Sequence, residues 1–191
     1  MNHLEIEYKT LLTKEEFNRI KEQMPHIEAV TQTNYYFDTD NFDLKASKMS
    51  LRIRTFTDKA ELTLKVPQKI GNLEYNHDLL LSEAETIIHT LQLPDIEIKH
   101  IIAQTGISLK ELKVLGSLTT VRREIATKIG LMALDYNRYA GIKDYELELE
   151  VSYAEKGKAD FEAFLKANHI QFKYAKSKVA RFSQTLFKQK K

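Results

Sequence analysis

The segment DYELELEVSY, residues 144–153, alternates with strict period two. Leu147, Leu149 and Val151 fall on one side, and Glu146, Glu148 and Glu150 on the other. Only an extended strand separates neighbours this way, since a helix would spread them around its axis. The same division recurs along the chain. HLEIEYKTL sets Leu4, Ile6 and Tyr8 against Glu5, Glu7 and Lys9. SLRIRTF sets Leu51 and Ile53 against Arg52 and Arg54, and AELTLKV sets Leu62, Leu64 and Val66 against Glu61, Thr63 and Lys65. At TVRR, Val121 and Ile125 share the face of Arg123, so Arg122 and Glu124 belong to the charged face. Asp135 and Asn137 extend that face.

Strands are expected at 3–12, 30–38, 50–56, 60–66, 73–81, 118–127, 131–139 and 144–153, mostly joined by short polar or glycine turns. Short connections favour antiparallel pairing. Helices are expected between them. Thr13 with Glu16 reads as a capping box ahead of Phe17, Ile20 and Met24; Ser82 with Glu85 and Ser108 with Glu111 read the same way. Asp95 caps a short helix carrying Ile98, Ile101 and Ile102, the Ser108 helix stops near Gly116, and DTDNFDL is a loop. Two C-terminal helices carry Phe161, Phe164 and Leu165, then Val179, Phe182 and Leu186, the latter capped by Ser177. The class is α+β, with one large antiparallel sheet or barrel.

A charged strand face ordinarily meets water. Here three carboxylates stand in a row at ~7 Å intervals, and like charges across a sheet are destabilising. The Arg52/Arg54 pair is complementary, because guanidinium is suited to planar, bidentate recognition of phosphate or carboxylate. The helices need apolar surface to cover. If they take the apolar face, the charged face looks inward, and a sheet closed on itself encloses a hydrophilic tunnel. Carboxylates there suit Mg²⁺ or Mn²⁺, and Arg/Lys suit phosphate oxygens.

Composition removes several classes. Of 191 residues 42% are hydrophobic, enough for a core, and the net charge of +2 is far from that of a chain binding nucleic acid by charge alone. There is no cysteine, hence no disulfide, thiolate metal site or cysteine nucleophile. The N-terminus lacks the apolar stretch of a signal peptide, and no apolar run approaches a membrane span. A cytoplasmic protein is expected, with no nucleic-acid or membrane partner; protein partners are not legible. The histidines at 3, 26, 77, 89, 100 and 169 show no ligand spacing. Tyr35, Tyr36 and Phe37 could stack on a base but sit at the spacing of core residues.

EIEYK at 5–9 resembles the ExExK signature of the CYTH domain, the triphosphate tunnel metalloenzymes. LRIR, LTLK, TVRR, LDYNRY, DYELELE and the late Ser177–Lys178 resemble the remaining family motifs in order, over essentially the whole chain. The segment 131–151 also resembles the small single-domain members of Gram-positive bacteria, and the resemblance implies a single domain over 1–191. It implies a closed eight-stranded antiparallel β-barrel with helices packed outside, acting on a triphosphate with a divalent metal. It also implies residue roles. Glu5, Glu7, Glu146, Glu148 and Glu150 would supply metal ligands, with the choice among the last three open. Lys9, Arg52, Arg54, Lys65 and Arg122 would hold phosphates and carry catalysis. Lys178 would hold phosphate and close one end, and Glu74 and Asp135 are further candidates. The leading activity is metal-dependent hydrolysis of inorganic triphosphate or a related small triphosphate. The alternatives are an adenylate cyclase of the same fold and a non-catalytic polyphosphate- or nucleotide-binding module.

Overall fold

The structure is a computed structural model describing residues 2–189. The strands are β1 (Asn2–Leu12), β2 (Val30–Asp38), β3 (Ser50–Thr55), β4 (Ala60–Pro67), β5 (Asn72–Leu79), β6 (Lys113–Thr127), β7 (Gly130–Tyr139) and β8 (Ile142–Val151). The helices are α1 (Lys14–Glu22), α2 (Asp43–Ala46), α3 (Leu81–Thr90), α4 (Glu97–Gln104), α5 (Ala154–Ala167) and α6 (Lys178–Gln189). The strands form a closed barrel in the order β1-β5-β4-β3-β2-β6-β7-β8. This is the antiparallel, eight-stranded architecture that the alternating faces and short turns lead to. Among the described residues, no helix is long and apolar enough to cross a membrane.

The chain divides into two compact units. The first comprises Met1–Leu4 and Gln32–Ser117, the second Glu5–Thr31 and Leu118–Lys191. In the first unit Leu51, Ile53, Leu62 and Leu64 of β3 and β4 pack with Ala84 and Ile87 of α3 and Ile98 and Ile102 of α4. Full burial of each such Leu or Ile contributes about 1.5–3 kcal/mol. The alternate residues Arg52, Arg54 and Lys65 are thereby turned to the opposite face.

Three helix expectations are corrected in this unit. Helix α3 begins at Leu81, with the Glu83 carboxylate accepting from the Leu80 N–H at 2.8 Å. Ser82 is therefore inside the helix, where its carbonyl accepts from the Thr86 hydroxyl, and Ser82/Glu85 is not a capping box. Asp95 does not cap α4, whose N-cap is Ile96; it lies instead near Lys99 and His100, at 3.5 and 3.4 Å. After Ser108 there is a single 3-10 turn, Leu109–Glu111. Strand pairing claims the chain from Lys113 onward, and Gly116 sits within β6 at φ +145° rather than ending a helix. The loop expected at DTDNFDL contains α2, whose start is held by the Asp38 carboxylate accepting from the N–H groups of Leu44 and Lys45.

In the second unit Met132, Leu134, Leu147 and Leu149 of β7 and β8 pack with Phe17, Ile20 and Met24 of α1 and Phe161 and Leu165 of α5. The Thr13–Glu16 capping box is present in both directions, at 2.8 and 3.2 Å. Gly157 lets α5 lie close on β8, since a Cβ there would meet Val151 side-chain atoms at 2.4–2.7 Å.

Candidate active site

In the second unit the register assembles a charged cluster. Arg122 stands opposite Asp135 across β6–β7. Asp135 stands opposite Glu146 across β7–β8, and Lys9 opposite Glu148 across β1–β8. Arg122 grips Asp135 bidentately, from Nε at 2.8 Å and Nη2 at 2.7 Å, and its Nη2 also donates to Glu148. The last helix reaches the same carboxylates. Ser177 Oγ accepts from the Ala180 N–H at 3.3 Å, as expected of a cap. Lys178 Nζ lies 2.8 Å from Asp135 and 3.5 Å from Glu146, and also pairs with Glu148. Lys178 is thus a largely covered member of the cluster, with 11% of its side chain exposed.

Burial opposes every one of these charges, and the partners decide the outcome. For Arg122, Glu148 and Asp135 outweigh burial and raise its pKa well above the ordinary value. For Lys178, Asp135, Glu146 and Glu148 do the same. Burial would lift Glu148, but Lys178, Arg122 and Lys9 hold it well below the usual carboxylate range. Glu146 goes the other way. Burial pushes it up, Lys178 pulls it back, and the ionised Glu148 pushes again, leaving it at about 7. In a low-dielectric site two adjacent carboxylates do not both ionise freely.

In the first unit the cluster is built differently. Lys65 stands opposite Glu74 and Arg54 opposite Asn34. Lys65 Nζ is 2.7 Å from Glu74, and Arg52 Nη2 is 3.9 Å from the same oxygen. Burial raises Glu74, but Lys65 and Arg52 outweigh it and bring its pKa down to about 2. Arg54 Nε donates to Asn34 Oδ1 at 3.1 Å. The buried donors Arg52 Nε and Asn34 Nδ2 make no hydrogen bond, and neither do the buried acceptors Asn76 Oδ1 and Glu74 Oε1, the latter met by Lys65 as an ion pair. Tyr36, opposite Arg52 on the same face, is buried, whereas Phe37 joins the apolar core.

The sequence-predicted residues thus fall into two sets, Lys9, Arg122, Asp135, Glu146, Glu148 and Lys178 in one and Arg52, Lys65 and Glu74 in the other. Arg54 sits two residues along from Arg52. Glu7 stands directly opposite Glu150 and accepts from Lys9 at 2.7 Å. Glu5 lies one alternation earlier on β1. A further network went unread in the sequence. Arg181 donates to Glu146 and lies 3.4 Å from Asp144. Asp144 accepts from Tyr139 and Asn137, and Asn137 from Thr120. The signal was present for Arg181, which follows Lys178 by one helical turn.

The family model of the CYTH domain matches residues 3–183. The chain belongs to the CYTH family. "Putative triphosphatase YjbK" of Bacillus subtilis (strain 168) is 37% identical over 181 residues, covering 94% of each chain. The crystal structure of a "putative adenylate cyclase" from Bacillus halodurans superposes with a TM-score of 0.90 at 36% identity, over 95% of this chain and 98% of that one. The Hippeastrum protein HpAC1, a "putative adenylyl cyclase" described as having a dominant triphosphatase activity, gives 0.80 at 25% identity, over 95% and 96%.

Carboxylate oxygens are the ligands a hard divalent cation takes, and β1 and β8 bring Glu7 and Glu150 opposite each other, with Glu7 already accepting from Lys9. Among the described residues, no three His, Asp or Glu side chains already converge as a metal cluster. Glu146 and Glu148 are instead engaged by Lys178, Arg181 and Arg122.

Proposed function

We propose that this CYTH chain is a metal-dependent triphosphatase, hydrolysing inorganic triphosphate or a related small triphosphate within its barrel. The observation that carries the reading is the convergence of Arg52 and Lys65 on Glu74, beside two buried donors that make no hydrogen bond, Arg52 Nε and Asn34 Nδ2. They sit in a cluster where two cations share one carboxylate. A buried donor left unpaired costs about 1–3 kcal/mol, and phosphate oxygens would satisfy it. The relatives named as triphosphatases support the same class.

Phosphoryl transfer asks a protein mainly to position the chain of phosphates and neutralise charge. Arg52, Arg54 and Lys65 hold non-bridging oxygens. Lys9, Arg122 and Lys178 do the same once released from their carboxylates. Glu5, Glu7, Glu146, Glu148 and Glu150 would hold Mg²⁺ or Mn²⁺. The cation supplies charge neutralisation on the phosphate oxygens and lowers the pKa of bound water. The family match runs through both compact units, and we take them as one functional domain.

The test is phosphate release from inorganic triphosphate, thiamine triphosphate, ATP and GTP with Mg²⁺ or Mn²⁺, alongside an assay for cyclic nucleotide. Phosphate from at least one triphosphate, lost on chelation, is expected. A cyclic nucleotide formed from ATP without phosphate release would instead make the chain a cyclase. Tight binding with no turnover of any substrate would make it a binding module.

A further inference from the structure

The segment between α5 and α6 is bound to the second unit at several points. At its start, Arg19 of α1 donates to the carbonyls of Asn168 and His169 at 3.4 and 3.3 Å, and Gln23 donates to Asn168 at 2.8 Å. Further on, the Lys173 backbone docks on β1. Its N–H donates to Thr10 Oγ1 at 2.8 Å, and its carbonyl accepts from the Leu11 N–H at 3.0 Å. Thr10 is completely buried. The Lys173 ammonium then reaches both oxygens of Glu16, at 3.1 and 2.8 Å, and the Gln171 carbonyl at 2.8 Å. Glu16 is only 8% exposed, and the same carboxylate closes the capping box of α1 on the Thr13 N–H.

An exposed lysine–glutamate pair is ordinarily worth little. This one differs in three respects. Its carboxylate is buried, all three ammonium protons have acceptors, and the backbone of the same residue is fixed to β1. Three residues separate this anchor from Ser177, the cap of the helix that delivers Lys178 and Arg181 to Asp135, Glu146 and Glu148. Residues on both sides of the anchor, Phe172, Tyr174, Ala175 and Ser177, also wall a cavity of about 690 Å³ that Glu7 and Lys9 line. A shift of the segment would move the two cations and this wall together.

We infer that Lys173 and Glu16, with the Thr10 hydroxyl, are positioning residues that hold the segment 171–177 in place and so set the two cations of α6 against the acidic cluster. They touch no substrate and act through Lys178 and Arg181. The inference rests on the proposed triphosphatase reading for its kinetic consequence, but not for its structural one.

The test uses Lys173→Met, Lys173→Arg, Lys178→Ala and the Lys173→Met/Lys178→Ala double variant, with inorganic triphosphate and Mg²⁺. Lys173→Met should raise KM by about tenfold while kcat changes less than twofold, because ground-state placement of a phosphate-binding cation is lost. Lys173→Arg, which keeps a donor fork for Glu16, should recover most of the change. In the Lys178→Ala background the further effect of Lys173→Met should shrink to about twofold or less, as coupled residues require. Equal losses in both backgrounds, or an unchanged KM in Lys173→Met, would overturn the inference while leaving the triphosphatase reading intact. If the parent protein releases no phosphate at all, that reading fails, and hydrogen exchange on the same variants decides the inference. Lys173→Met should then speed exchange over residues 174–182 with the barrel strands unchanged; unaltered exchange there overturns it.

Discussion

In the first unit Arg52 and Lys65 share the Glu74 carboxylate, whereas in the second Lys178 alone pairs with Asp135, Glu146 and Glu148. Arg122 adds bonds to two of the same three. Around Glu74 two cations meet one carboxylate, and around Lys178 one cation meets three. Both are made of alternate residues on antiparallel strands with an apolar core behind, so the fold does not account for the contrast. The charge balance does. On the proposed function, the side where cations outnumber carboxylates would take the triphosphate and the carboxylate-rich side the metal.

The largest expected effect follows from that imbalance. Arg122→Met leaves Asp135, fully buried, and Glu148 without their shared guanidinium. Stripping one partner from a buried ion pair costs about 3–5 kcal/mol, and chemical denaturation should show a loss of that size. Arg52→Met should cost much less, because Arg52 lies 3.9 Å from Glu74, whereas Arg122 makes three hydrogen bonds to Asp135 and Glu148. It should nevertheless abolish most of the rise in melting temperature that inorganic triphosphate with Mg²⁺ gives the parent protein, a rise worth about 2.7 kcal/mol at a hundredfold excess over Kd. Equal destabilisation by the two arginine variants would erase the distinction between the clusters.

The next effect is on turnover. Glu148→Gln preserves shape and one acceptor for Arg122 but removes a charge from the carboxylate-rich side. Phosphate release should fall by ~100-fold or more, since metal-assisted charge stabilisation is worth several kcal/mol. Higher Mg²⁺ should recover part of the loss. Near-normal turnover at low Mg²⁺ would take Glu148 out of the ligand set and weaken the assignment of the second cluster to the cation.

The strands were legible because burial on one face alone imposes period two. From LRIR, LTLK and ELELE it follows that Arg52, Lys65 and Glu148 share a face opposite the core, and register then pairs Lys65 with Glu74. Helix starts were legible only where a local hydrogen bond decides them. Thr13 caps α1 as its sequence implies. Ser108 carries the same signature, yet β6 captures the chain from Lys113, and a ladder of backbone bonds outweighs one turn of helix. The Asp144–Asn137–Tyr139 network was not legible, since cross-strand register and the approach of Arg181 on α6 create it. Pairings between distant elements leave no periodic trace in the chain.

The smallest effect tests whether Glu74 is truly shared. Its pKa is about 2 in the folded protein against an ordinary 4.5, because Lys65 and Arg52 outweigh the effect of burial. For an acid whose folded pKa is depressed, the unfolded chain binds more protons between the two values. Stability is therefore fully present above pH 4.5 and is lost as pH falls toward 2. By pH ~3 the loss attributable to this group is about 2 kcal/mol. Glu74→Gln cannot titrate. It should be less stable than the parent at neutral pH, with Arg52 and Lys65 left to repel each other, and the gap should narrow by about 2 kcal/mol between pH ~5 and ~3. Denaturant melts of both proteins across that range read the gap directly. Curves that stay parallel would mean that Glu74 is not held by the two cations, and the first cluster would then be more strongly positive than its contacts imply. Convergence confined to acid pH, with Arg52→Met halving it, would fix Glu74 as the shared counter-ion of Arg52 and Lys65.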